Sequence, residues 1–419
     1  MRREGEERPG LVPFERFFAV LGYVSFCCVL MFFLAEVASR VAVPVYRHFK
    51  LPYRHFRSRG GTLFTNAYID GISASPAYDG YAWAEDFWKE QRARWEELRT
   101  SFYPYEPFRI WGTQLDRGKY INVDNTEMGA MRRTVNALQP GCDKQTGIKI
   151  WFFGASTSWG YGVPDFATIP SYLSPRLNAG SGSCVEVINL GVDGYNTNQE
   201  AIYLTQKLKA GWRPDVVIFY DGFDEAAIGS SEPGLPEAHW FYRDIKAKSE
   251  SSILSWPDLV KRSYFLQAIT YLKWRYQRRR AAIPSDQEWA VRARADMDNY
   301  ESNRRLVALL CSEYGFDAYF FWQPCIMYGD KPLVPYEQAI TEVPSVHADY
   351  AAIRAVYEEA DRRSAASGKF IFLGRVFDGV KEPVYIDQVH LGPRGNEIIA
   401  GAIASAIQPS LIKRSSSGR

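Results

Sequence analysis

The chain has 419 residues, enough for one large domain or two modest ones, and its net charge of +2 gives no global reason to expect nucleic acid as a partner. Aromatic residues make up 15%, with 12 tryptophans, which points to aromatic-lined packing or to a surface facing sugar or lipid. The six cysteines show no Cys-x-x-Cys or Cys/His spacing for zinc, and no Gly-x-Gly-x-x-Gly or P-loop lysine pattern occurs, so neither metal nor nucleotide cofactor is expected.

After a short tail (1–16), the first predicted element is the uncharged run from Phe17 to Ala35. Its length as a helix, about 28 Å, approaches the thickness of a bilayer's hydrocarbon core, so a single transmembrane helix is expected over 17–37. A cleaved signal peptide fits less well, because the run is long and Ala35–Ala38 is a poor cleavage site. Arg2, Arg3, Arg8 and Arg16 precede the helix, and Arg40, Arg47, Lys50, Arg54, Arg57 and Arg59 follow it. That count leans towards a cytoplasmic carboxyl side, although long domains cross largely regardless of flanking charge.

Residues 38–145 read as a stem and aromatic-rich region. Val43 to Gly80 is basic and aromatic, and Tyr81 to Leu98 carries Trp88, Arg92 and Trp95 at helical steps, an amphipathic helix. Phe102 to Leu138 mixes short strands and turns.

From Ile148 the pattern alternates. Strands are predicted at 148–153, 185–190, 215–220, 316–322 and 370–373, with helices at 167–177, 199–209, 303–312, 348–364 and 395–407. Such alternation predicts an α/β domain over 146–410, three-layer α/β/α, with a five-stranded parallel sheet. The interval 226–298 breaks the rhythm and reads as a cap or insertion. Its basic run, Arg275 to Arg280, suits either an anionic polymer, lipid headgroups or a plain solvated face. Residues 411–419 read as a polar, disordered tail. Cys142 precedes the first of these strands and Cys184 the second. Neighbouring strands would bring them within disulfide reach, which needs an oxidising compartment; free buried thiols are the alternative.

The chemistry centres on Ile148 to Gly162, IKIWFFGASTSWGYG. A buried strand stops at Gly154, and Ser156 follows at its carboxyl end, where open α/β sheets place ligands. A nucleophilic serine needs a base, and the base an orienting acid. Of the five histidines, His48 and His55 lie in the stem, His239 in the cap and His347 at a helix start. His390 lies just before the last helix, three residues after Asp387, a spacing that lets the carboxylate fold back onto the imidazole. Gly194 follows the second strand and Gly222 the third, where backbone N–H groups could hold a developing oxyanion.

This order of residues resembles the SGNH (GDSL-like) hydrolase superfamily over roughly 148–407, excluding 226–298. Gly154-Ala155-Ser156-Thr157-Ser158 is similar to the first block, Gly194 to the second, Gly222-Phe223-Asp224 to the third, and Asp387 with His390 to the last. The resemblance implies a flavodoxin-like sheet, Ser156 as nucleophile, His390 as base and Asp387 as its partner. It also implies an oxyanion hole built from Ser156, Gly194 and a third-block side chain. Two residues depart from the pattern: Ala155 replaces an aspartate, and Asp224 replaces an asparagine. An ionised carboxylate cannot donate a hydrogen bond, so Asp224 is protonated, or Asn196 or Asn198 supplies the donor, or activity is low.

The layout of membrane helix, stem and domain also resembles SGNH-type proteins of bacterial envelope and exopolysaccharide systems. That resemblance implies a single-pass inner-membrane protein with a periplasmic domain. The expected activity is hydrolysis of acyl esters, chiefly O-acetyl, on a carbohydrate or envelope polymer. Alternatives are an O-acyltransferase, or a catalytically weak binding or assembly subunit working with envelope partners.

Overall fold

The computed structural model describes residues 13–50, 66–98, 103–142, 146–180, 184–232, 234–250, 263–280, 284–342, 344–365 and 368–416. Parts of the expected tails (1–12 and 417–419), of the stem (51–65, with His55) and of the cap (251–262, with Trp256) lie outside the described residues.

The chain begins with helices α1 (Pro13–Lys50), α2 (Asn66–Ser73) and α3 (Ala84–Leu98). Five short strands follow: β1 (Tyr105–Glu106), β2 (Ile110–Trp111), β3 (Asp116–Arg117), β4 (Asn122–Thr126) and β5 (Gly129–Arg132). Next come β6 (Ile148–Gly154), α4 (Ser156–Trp159), α5 (Ile169–Gly180), β7 (Val185–Asn189), α6 (Thr197–Lys209), β8 (Val216–Asp221) and α7 (Phe223–Ser231). The remainder is α8 (Tyr242–Ser249), α9 (Tyr264–Arg280), α10 (Asp286–Tyr314), β9 (Asp317–Trp322), α11 (Pro335–Thr341), α12 (Pro344–Ser364), β10 (Phe370–Phe372) and α13 (Pro393–Ser416). Two compact units result, Met1–Pro52 with Arg243–Ala282, and Tyr53–Tyr242 with Ile283–Arg419.

In the smaller unit α1 packs along α9. Residues Arg16–Ala42 are long and apolar enough to cross a membrane, and their large side chains, such as Phe18, Leu21 and Phe33, stand exposed. Phe32 meets Phe265 edge to face at 5.6 Å, and the Arg40 guanidinium lies 5.8 Å from the Tyr264 ring centre. The Glu36 carboxylate accepts from Ser263 Oγ (2.6 Å) and from the Tyr264 (3.1 Å) and Phe265 (3.0 Å) N–H groups, satisfying donors that the first turn of α9 leaves free. The interval 226–298 is therefore not one cap: 243–282 joins α1, whereas α7 and α10 cover the sheet of the larger unit.

The larger unit is built on one sheet, ordered β10-β9-β8-β6-β7-β5-β4-β3. The five strands β6 to β10 run parallel, and counted in chain order they lie 2-1-3-4-5, the flavodoxin-like order. Strand β8 is buried along its whole length and β6 nearly so, which is why they read as continuous apolar runs rather than alternating ones. Phe153, Phe219 and Phe320 are register partners on three adjacent strands, and their rings stack at 5.3 and 4.8 Å. Helices α5 and α13 pack together on one side, and α6, α7, α10 and α12 form the other layer. Helix α10 starts well before the expected 303, because Ser285 and Glu288 form a reciprocal capping box.

Three further expectations are corrected. The sheet is mixed and eight-stranded, since β5 pairs antiparallel with β7 through Arg132 and Asn189 and carries β4 and β3 outward. The region before 145 is accordingly not all stem. Tyr68, Ile69, Ile72, Phe87, Trp88 and Tyr120 are buried in a second hydrophobic cluster with Ile386. Cys142 and Cys184 are joined in a disulfide, closing a separation of 42 residues, while Cys27, Cys28, Cys311 and Cys325 form no disulfide among the described residues. Helix α13 continues to Ser416, with Leu411 buried where a polar tail was expected.

Candidate active site

In the 2-1-3-4-5 order the topological switch point lies between β6 and β8, and open α/β sheets bind ligands beyond the carboxyl ends of the strands at such a point. Ser156 follows β6, and Asp224 follows β8. Gly154 ends β6 at φ +145°, where any Cβ would strike Ser158 and the Tyr220 carbonyl, so only glycine lets the chain turn so sharply. The turn is then clamped. Asn189 Nδ2 donates to the Ser158 carbonyl at 2.9 Å, and Thr157 Oγ1 donates to Gln323 Oε1 at 2.6 Å.

The loop before α13 is equally fixed. Tyr385 and Leu391 form an antiparallel bridge, and the Ile386 N–H donates to the His390 carbonyl at 3.0 Å. Within it Asp387 Oδ1 accepts the N–H groups of Val389 (2.9 Å) and His390 (2.7 Å). Asp387 Oδ2 lies 2.7 Å from His390 Nδ1, and His390 Nε2 lies 2.7 Å from Ser156 Oγ. Three side chains expected from sequence, Ser156, His390 and Asp387, thus form one unbroken hydrogen-bonded line. Burial opposes the charged imidazole, but the charge and hydrogen bond of Asp387, helped by Asp193 and Asp224, outweigh it and hold His390 above the usual histidine range. Burial would likewise raise Asp387, yet the His390 charge and hydrogen bond, with the Tyr68 hydroxyl and Val389 N–H, keep it below the usual carboxylate range.

Gly194, at φ +72°, tops a turn closed by the Tyr195 N–H on the Val192 carbonyl at 3.1 Å. Trp111 Nε1 holds that turn by donating to the Asp193 carbonyl at 2.9 Å. Among the described residues the N–H groups of Ser156 and Gly194 have no acceptor, so both are available to an oxyanion. Asp224, on the first turn of α7, accepts a bond from Trp240 Nε1 at 2.7 Å through Oδ1. Burial, with the neighbouring Glu225 carboxylate, pushes its carboxyl up to about 8. Glu225 fixes the loop by accepting from the N–H groups of Gly222 and Thr197, each at 2.8 Å.

Four further residues belong to this place and carried no motif. The Tyr68 hydroxyl donates to Asp387 Oδ2. The Tyr161 ring lies 4.7 Å from the His390 imidazole. Asp193 accepts from the Tyr103 hydroxyl, and Trp240 touches both Asp224 and the space above Gly194. The aromatic content and the cap tryptophans were the only signals for the three aromatic ones. Of the other histidines, His239 spends Nδ1 on the Phe241 N–H at 3.2 Å. Among the described residues no cluster of three or more His, Cys, Asp or Glu side chains could hold a metal ion.

Chemically, the arrangement can deprotonate a hydroxyl and stabilise an oxyanion. No protein family matches the chain, and a search of curated proteins finds no match either. Among solved structures it is similar to an acetyl xylan esterase at 15% identity and a TM-score of 0.34, covering 62% of this chain and 100% of that one. It is also similar to a lipolytic protein of the G-D-S-L family from Veillonella parvula (10% identity, TM-score 0.34, 62% of this chain, 97% of that one). A third is an acetylxylan esterase from Geobacillus stearothermophilus (16% identity, TM-score 0.33, 62% of this chain, 94% of that one). In its own strand order the parallel part of the sheet is flavodoxin-like, with a serine after the first parallel strand and Asp-x-x-His before the last helix, the features on which the resemblance to SGNH (GDSL-like) hydrolases rests.

Proposed function

We propose that the protein is a membrane-anchored serine esterase acting on acyl esters, chiefly O-acetyl groups, of a carbohydrate or envelope polymer. The observation that carries this reading is the continuous line from Ser156 through His390 to Asp387. His390 Nε2 takes the Ser156 proton as Oγ attacks the ester carbonyl. The Ser156 and Gly194 N–H groups hold the oxyanion, and His390 returns the proton to the departing alkoxide. Water, deprotonated by His390, then attacks the acyl-serine; the acid leaves and Ser156 recovers its proton.

Half-buried Tyr161 and Trp240, with exposed Tyr103, supply the flat apolar faces and polar edges that suit a sugar. The Cys142–Cys184 disulfide supports an oxidising compartment for the domain, hence the periplasmic side of an inner membrane crossed by α1. The ordered line of three side chains favours catalysis over a purely binding or assembly role. One observation favours an O-acyltransferase as a second reading: Ser156 is 8% exposed and His390 2%, a site that limits access for bulk water.

The test uses full-length protein in detergent, beside Ser156→Ala, with p-nitrophenyl acetate and with an acetylated glycan, adding a free sugar acceptor in a parallel series. Release that depends on Ser156 is expected. Equal release by both proteins overturns the esterase reading, and acetate appearing on the acceptor instead of in solution selects the transferase. For topology, a carboxyl-terminal alkaline phosphatase fusion is expected to be active; an inactive fusion reverses the orientation.

A further inference from the structure

Asp224 stands where a hydrogen-bond donor is needed, and a carboxylate cannot be one. Two asparagines close in sequence to Gly194 are the other possible donors, and the structure turns both to other partners. Asn196 gives its amide to the Ala238 carbonyl at 2.8 Å and uses its oxygen to cap α6. Asn198 is turned to α10, where it accepts from Asn303 at 2.9 Å.

We propose that Asp224 works as a carboxylic acid, donating a hydrogen bond from Oδ2 to the oxyanion, with Trp240 setting its orientation by bonding Oδ1. The inference rests on the esterase reading and adds a third donor, one the ordinary chemistry of aspartate would forbid. Its geometry is specific. Trp240 Nε1 holds Oδ1 at 2.7 Å, which leaves Oδ2 with no hydrogen-bond partner among the described residues. Asp224 is 7% exposed and stands close enough to His390 for their charges to interact.

The surroundings favour the neutral form. Glu225 is the next residue of α7, Asp193 faces Asp224 from the loop after β7, and Glu200 on α6 and Asp221 at the end of β8 also feel its charge. His390 acts in the opposite sense, as does the Trp240 bond. None of the groups acting most strongly on Asp224 is a lysine or arginine. Ionising it would place one more negative charge among buried carboxyls, beside the point where the oxyanion forms. A carboxylic acid kept neutral by its site is an established kind of oxyanion donor.

The experiment measures kcat/KM for p-nitrophenyl acetate against pH, using full-length protein in detergent. Wild type is expected to lose activity as Asp224 ionises near pH about 8. Asp224→Asn, a permanent donor, keeps activity near neutrality and lacks that falling limb, whereas Asp224→Ala loses roughly 100-fold below pH about 8 and approaches wild type above it. Trp240→Phe removes a bond that favours the ionised form, so its falling limb moves to higher pH. The inference is overturned if folded Asp224→Asn is as inactive as Asp224→Ala, if it keeps the wild-type limb, or if the Trp240→Phe limb stays put or moves down. Failure of the esterase reading looks different, as Ser156→Ala matching wild type. An infrared difference spectrum, wild type minus Asp224→Asn below about pH 7, needs no turnover. It should carry the C=O stretch of a neutral acid, and a carboxylate band in its place also overturns the inference.

Discussion

Tyr68 and Asp387, 319 positions apart, are joined by a hydrogen bond from the tyrosine hydroxyl to the carboxylate oxygen that also faces His390. Helix α2 therefore reaches the Ser156–His390–Asp387 line from the far end of the domain's sequence. Tyr68→Phe removes one bond to a charged acceptor, worth about 1.5 kcal/mol, so kcat should fall roughly tenfold. KM should stay close to wild type, because Tyr68 acts through Asp387 rather than on substrate. Steady-state kinetics with a melting curve as control decides it: a KM effect with unchanged kcat would contradict this role.

The acid side of the pH profile belongs to His390. A general base works when neutral, so kcat/KM rises with pH through the histidine's own titration. Because the Asp387 charge and bond outweigh burial and raise His390, the rising limb should sit above about 6.5, the ordinary histidine value. Asp193 contributes to that rise, so Asp193→Asn should move the limb to lower pH. Rates measured across the limb in both proteins test the sign.

Arg132 links the antiparallel edge to the nucleophile turn. Its guanidinium is wholly buried, donates to Asp165 at 2.8 Å and to the Val163 carbonyl at 3.0 Å, and lies 4.4 Å from the ring centre of Trp159, at the end of α4. Arg132→Ala would leave the Asp165 carboxylate buried without its cation, a loss of about 3–5 kcal/mol. Denaturant unfolding should register it, and a change below about 1 kcal/mol would place the pair among those of little net worth.

The Cys142–Cys184 bond ties the entry to β6 to the entry to β7. Reduction, or Cys184→Ser, should lower stability by about 2–4 kcal/mol. Melting with and without dithiothreitol measures this, and identical midpoints would mean that the bridge constrains nothing.

The parallel core was legible because strands buried on both faces are continuous apolar runs, as in Val216–Asp221, and because helices separate them at regular intervals. Ser156, His390 and Asp387 were legible because each stands at a fixed offset from a strand end or from another member. The antiparallel edge was not: strands of two to five residues such as Asp116–Arg117 are too short to display a period. Tyr68 and Trp240 escaped for another reason. Each meets its partner through tertiary packing, and one aromatic residue among many carries no spacing that identifies it. Asp224 was visible as an anomaly, but only its surroundings show why a carboxyl group is tolerated there.

Glu36 lies within the apolar helix and answers the amide groups at the start of α9. Helices α1 and α9 are therefore one folded piece, although more than two hundred residues of chain separate them. Cutting the protein just past α1 to obtain a water-soluble version would strip α9 of its cap and leave Phe265 without Phe32. A sound soluble version has to give up residues 243–282 along with α1.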